Sequence, residues 1–231
     1  IMKTSPIDIV VEGNFDEDEI VEIISNGFDF HRENIIEIPR ADFIKKVDEI
    51  KVIKEEMDIT QGKLVMGYRC NVDYKDEFKY YSLFVGSNVL GGGPHSKLFV
   101  NVREKESLCY YIYSSLEKYK TSMFISSGIE SENYDKTVEL LGEQLKSLKE
   151  GKISDEELLN SKSAIISSLK TIKDSLGGSS DFYFSQSMGG TNTTVEKIIE
   201  MIEKVTVSDI VEAFKNIELD TIYFLSNNKE A

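Results

Sequence analysis

Apolar positions along this 231-residue chain change period several times, and each change marks an element. Residues 7–11, Ile-Asp-Ile-Val-Val, predict a strand, with Gly13 and Asn14 turning the chain after it. Asp16 to Glu19 then place acids in the first turn of a helix, where the helix dipole favours them. Ile20, Ile23 and Ile24 give that helix an apolar stripe, and the piece ends near Gly27 and Phe28. Residues 31–58 carry Pro39, scattered charges and weak periodicity. They read as a connection, with space for a short helix around Asp42 to Ile50.

A stronger pattern begins at Lys63. Lys63 to Tyr68 reads as a strand, and a helix follows with Tyr80, Tyr81, Leu83, Phe84, Val85, Val89 and Leu90 as its apolar positions. Gly91-Gly92-Gly93-Pro94 ends it. Ser96 can cap a second helix that points Leu98, Phe99 and Val102 inward and leaves Lys97, Asn101 and Arg103 on its polar face. Leu108 to Ser115 and Ser122 to Ile129 predict a hairpin.

The rest is mostly helical. Tyr134 to Lys149 has Val138, Leu141, Leu145 and Leu148 on one face, and Gly151 closes it. Ser154 to Glu157 makes a capping box for a helix that runs to about Lys173 and is broken by Gly177-Gly178. Phe182, Tyr183 and Phe184 suggest another helix, Val195 to Val205 a further one, and Thr206 with Asp209 caps the last. Thr221 to Leu225 is a closing strand. Strands and helices are segregated rather than alternating, which predicts an α+β fold: a mostly antiparallel sheet with helices on one face, preceded by a short strand–helix fragment.

Composition changes the picture in three ways. A net charge of −14 repels phosphate backbones and argues against nucleic acid as a partner. No apolar run approaches the roughly 20 residues of a membrane helix, so no membrane partner is expected. The start of the chain has no signal-peptide pattern and reads as mid-protein sequence, an expectation that the chain was cut from a longer one. Cys70 and Cys109 sit in apolar, strand-like contexts and read as buried free thiols of a reducing, cytoplasmic setting, with a disulfide not indicated.

Candidate chemistry is sparse. The two histidines, His31 and His95, lie far apart, whereas a peptidase zinc needs two imidazoles on one helix face, a third ligand and a carboxylate to activate water. No metal ligands are therefore assigned. The stretch Gly91 to Lys97 fails the Gly-x-x-x-x-Gly-Lys-Ser/Thr phosphate signature, and the glycines suit a tight helix-to-helix corner. Ser96 beside His95 does not make a nucleophile–base pair. Taken alone, Arg103 is a solvated helix residue and Tyr110 a strand aromatic.

The string from Leu90 through Gly-Gly-Gly-Pro-His-Ser-Lys-Leu-Phe-Val-Asn-Val-Arg-Glu-Lys, followed by Ser107-Leu-Cys-Tyr-Tyr, resembles the C-terminal half of insulinase/pitrilysin (M16) zinc peptidases. It looks closest to bacterial members that lack the His-x-x-Glu-His motif. The resemblance covers about residues 59–231; residues 1–30 would be the tail of a preceding homologous half and 31–58 the linker. It implies two halves of one fold facing each other across a chamber, with zinc in the other half and none in this chain. Substrate would lie extended along a sheet edge there. This half would contribute Arg103 and Tyr110, seven apart, as contacts to the substrate carbonyl or the transition state. The implied partners are the missing N-terminal half or a separate zinc-bearing chain, and short or unfolded peptides as substrate. Alone, the chain is expected to be inactive. The alternative is a peptide-binding or assembly module of the same fold without catalysis.

Overall fold

The computed structural model describes residues 3–28, 32–37 and 44–227. In chain order the elements are α1 (Glu17–Gly27), β1 (Lys51–Met57), β2 (Gly62–Arg69), α2 (Glu77–Gly91), a π-helical turn (Phe99–Glu104), β3 (Cys109–Glu117), β4 (Ser122–Ile129), α3 (Tyr134–Lys149), α4 (Asp155–Ile172), α5 (Leu176–Gly189), α6 (Val195–Lys204), α7 (Val207–Phe214) and β5 (Glu218–Asn227). A short 3-10 turn, Ser131–Asn133, precedes α3. The chain divides into two compact units: residues 1–41 with 168–193, and residues 42–167 with 194–231.

The second unit is built on one five-stranded sheet of order β1-β5-β2-β4-β3. Only the β1–β5 pair is parallel; β5–β2, β2–β4 and β4–β3 are antiparallel. The fold is thus α+β with a mixed, mostly antiparallel sheet. Alternation on β2 decides the faces. Leu64, Met66 and Tyr68 are buried, and their cross-strand neighbours Ile125, Met123, Phe224 and Ile222 are buried with them. Against this face lies α2, which packs on β3 and on α7, α6 and α3. A methyl group at Gly86 would come within 2.4 Å of Phe214 Cε2, so the glycine is what lets α7 approach α2 so closely. Val65, Gly67, Phe124, Tyr111 and Tyr113 alternate onto the opposite face, where the rings of Tyr111 and Tyr113 stack at 6.1 Å.

Several local expectations meet their caps. Ser154 Oγ accepts from Glu157 N and Glu157 Oε2 accepts from Ser154 N, so the capping box opens α4. Thr206 and Asp209 do the same for α7. Gly177 and Gly178, read as a helix breaker, instead sit in the first turn of α5, which starts at the Ser175 cap. Within the expected linker, β1 is a strand that weak periodicity hid: all seven of its residues are exposed, so no burial pattern exists to be seen. Residues 44–50 of the expected short helix are not helical, and Asp42 lies outside the described residues, as do Pro39 and His31.

The first unit corrects another expectation. Residues 7–11 form no strand, and Ile9, Val10 and Val11 are exposed. Side chains hold this segment instead: Ser187 Oγ donates to Asp8 and Ser180 Oγ to Glu12, tying it antiparallel to α5. Asp16 caps α1 by accepting from Asp18 N and Glu19 N, but no residue of α1 is buried, and Ile23 of its apolar stripe is exposed.

Candidate functional site

The end of α2 and the turn after it shape the site. Gly91 presses against β3: a methyl group there would sit 2.5 Å from the Ser114 backbone nitrogen. Gly91 is thus a close backbone approach, which a side chain would block. Ser96 then caps the next helix, accepting from Phe99 N at 3.4 Å while donating to Gly93 O at 2.6 Å. From Phe99 the helix widens to π geometry, with Lys105 N donating to Val100 O. Lys97, read as part of a polar face, is instead buried, its ammonium 2.9 Å and 3.1 Å from the two carboxylate oxygens of Glu157. The ion pair fastens this helix to the start of α4.

Widening the helix re-aims its last turn. Leu98 and Val102 stay in the core, while Arg103 is exposed with its guanidinium over the Phe99 ring at 4.6 Å. The chain then reverses through Ser107, whose φ of 54° is left-handed, and enters β3. There the β3–β4 register shifts between Cys109 and Tyr111: Cys109 faces Ile129 and Tyr111 faces Gly128, so Tyr110 is the extra, unpaired residue of a bulge. A bulge frees Tyr110 from the alternation of the strand and leaves two consecutive tyrosines exposed. The Tyr111 ring lies over Gly128, where a methyl group would meet it at 2.5 Å.

Arg103 and Tyr110 line one open cleft of about 380 Å³ together with Ser107, Leu108, Cys109, Glu130 and Asn133. Tyr110 Oη donates to Glu130 Oε1 at 2.7 Å, and this bond with the carboxylate charge raises the phenol above its ordinary range. Burial pushes the Cys109 thiol up, and the Cys70 thiol to about 12. Both cysteines are free and buried, and such protonated thiols are poor nucleophiles. Arg103 and Tyr110 were legible as candidates only through the motif string. Glu130 was missed: it follows β4 as one acid among many, and only the folded hairpin sets it beside Tyr110.

The donor set does not suit zinc. Among the described residues no group of three or more His, Cys, Asp or Glu side chains is placed to hold a metal ion. His95 Nε2 is buried and has no hydrogen-bond partner among them, and His31 lies outside them. Among the described residues, no helix is long and apolar enough to cross a membrane.

The family model described as the peptidase M16 inactive domain matches residues 4–165. A Bacillus subtilis (strain 168) protein described as a probable inactive metalloprotease, YmfF, is 35% identical over 225 residues, covering 97% of this chain and 52% of that protein. A second protein of that organism, described as an uncharacterized zinc protease, YmxG, is 29% identical over 161 residues, covering 68% of this chain and 39% of its own length. The chain spans about half the length of these curated relatives, or less. Among solved structures, a conserved protein from Enterococcus faecalis V583 superposes with a TM-score of 0.83 at 30% identity, over 94% of this chain and 51% of that one. A peptidase M16 inactive domain from Pseudomonas fluorescens shares the fold with a TM-score of 0.69 at 18% identity, over 93% of this chain and 52% of that one. The chain belongs to the M16 peptidase family, as a domain of the kind its family model calls inactive.

Proposed function

We propose that this chain is the C-terminal, non-zinc-binding half of an M16-type metallopeptidase, and that it supplies Arg103 and Tyr110 to peptide hydrolysis carried out by a zinc-bearing half. In this reading residues 1–30 are the tail of a preceding homologous half, 31–58 the linker, and 59–231 the C-terminal domain. The partner is that first half or a separate zinc-bearing chain, the substrates are short or unfolded peptides, and the setting is cytoplasmic. The observation that carries the reading is that Arg103 and Tyr110 line one open cleft.

The chemistry of the pair follows from its donors. Peptide hydrolysis builds negative charge on the scissile carbonyl oxygen. A guanidinium and a phenol O–H are donors suited to that oxygen or to neighbouring carbonyls. Arg103 is steadied for this by the Phe99 ring beneath it, and the bulge exposes Tyr110 to the same cleft. The test is the double change Arg103→Ala with Tyr110→Phe in the assembled protein. Turnover should fall by about 2–4 kcal/mol of transition-state stabilisation while peptide binding weakens less. Unchanged turnover in an active assembly would remove both residues from the mechanism.

One observation favours a second reading, a peptide-binding or assembly module without catalysis: the 35%-identical relative is itself described as inactive. Here the assembled protein holds extended peptides and leaves them uncut even with zinc present.

A further inference from the structure

We infer that Glu130 is a positioning residue for Tyr110, whose carboxylate holds the phenol O–H until a peptide carbonyl takes that donor from it. The inference rests on the reading of Tyr110 as a peptide-contacting group, and it concerns how that contact is regulated.

A phenol has one proton to donate. In this structure Tyr110 gives it to Glu130 Oε1 at 2.7 Å. It cannot give the same proton to a substrate carbonyl, so peptide engagement requires the bond to open. The competitor is strong, because an ionised carboxylate is a better acceptor than a neutral amide carbonyl. Nothing else in the ladder fixes the ring: Tyr110 is the bulge residue between the Cys109–Ile129 and Tyr111–Gly128 pairs and has no cross-strand partner. Glu130 follows Ile129 directly, in extended backbone at φ −74° and ψ 146°, and stands on the rim of the same cleft.

Opening the bond does two things together. It frees a donor, the Tyr110 O–H, and an acceptor, the Glu130 carboxylate. An extended peptide presents the complementary pair, a C=O and an N–H. Glu130 therefore sets the resting orientation of Tyr110 and lowers affinity for any peptide that must displace it.

Two measurements on the 231-residue chain test this, using Glu130→Gln and Glu130→Ala. First, the Tyr110 phenol is titrated by NMR with ¹³C-labelled tyrosine, its signal assigned by loss in Tyr110→Phe. It should titrate above the ordinary phenol range in the wild type and fall towards that range in both variants; an unchanged titration overturns the inference. Second, binding of an end-capped Ala-Ser-Gly peptide carrying a neutral nitrobenzoxadiazole dye is followed by polarisation, so that the lost charge does not itself attract or repel the probe. Glu130→Gln should bind about threefold tighter, and the gain should vanish in a Tyr110→Phe background. Equal or weaker binding by Glu130→Gln, or a gain that persists without the phenol, contradicts the competition. If Tyr110→Phe leaves peptide affinity unchanged, the peptide-contacting reading fails and the inference with it. That failure is distinguishable, because the titration difference between wild type and Glu130→Gln survives it.

Discussion

Strands β1 and β2 flank the same strand, β5, and differ in almost everything else. β2 runs antiparallel to it and alternates, with Leu64, Met66 and Tyr68 shut against the helices. β1 runs parallel to it and has no buried residue: Val52 is 56% exposed, Ile53 43% and Met57 55%. β2 is a strand because one of its faces fills the core, whereas β1 holds through its ladder and exposed polar contacts, Tyr223 Oη donating to Glu55 Oε2 at 2.7 Å and the Lys54 ammonium lying 4.1 Å over the Tyr134 ring. The difference teaches where stability and legibility come from. A half-buried strand writes its period into the sequence, and a strand with no buried face has no reason to.

The sharpest way to break the comparison is at Leu64. Leu64→Ala should cost about 3 kcal/mol in denaturant unfolding, as cavity-forming changes at fully buried leucines do. A much smaller loss would mean the helices do not close on β2 as described. Next in size is Lys97→Met, which keeps the stem packed and leaves the Glu157 carboxylate without its cation. A loss of about 2 kcal/mol is expected, less than for a fully buried pair because Glu157 is partly exposed.

The same pair carries a pH signature. Burial works to raise the Glu157 carboxyl, but the Ser154 backbone N–H and the Lys97 ammonium outweigh it and hold the group below its ordinary value. A depressed folded-state pKa contributes stability that is present above the unfolded value and lost as pH falls through the folded one. Stability curves of wild type and Glu157→Gln should therefore converge on acidification below about pH 4, near the ordinary glutamate range. The smallest effect belongs to β1. Val52→Thr should stay within about 0.5 kcal/mol of wild type, since Val52 is more than half exposed and the change keeps a β-branched side chain. A larger loss would show that β1 packs against something in solution.

Much of the helical half was readable because caps and period agree there. The expected span of α3 coincides with the observed Tyr134–Lys149, and both capping boxes form. The hairpin was readable for the same reason. What the sequence hid is non-local or irregular. β1 needs β5, about 170 residues away, to become a strand. The apolar residues 7–11 promised a strand but have no ladder to join, and α5 serine hydroxyls take their acids instead. Lys97 looked solvated until Glu157 was brought to it across 60 residues. In the candidate site, Arg103 and Tyr110 were reached through the motif string. The π turn, the bulge and Glu130, which give those residues their setting, are properties of the folded backbone.

The central claim is that this chain is a half that needs a zinc-bearing partner. It is tested most directly by incubating the purified chain with a library of quenched fluorescent peptides, with and without added zinc. The account predicts no cleavage in either condition. Cleavage that appears with zinc, disappears with chelator and tracks the purified chain would contradict it.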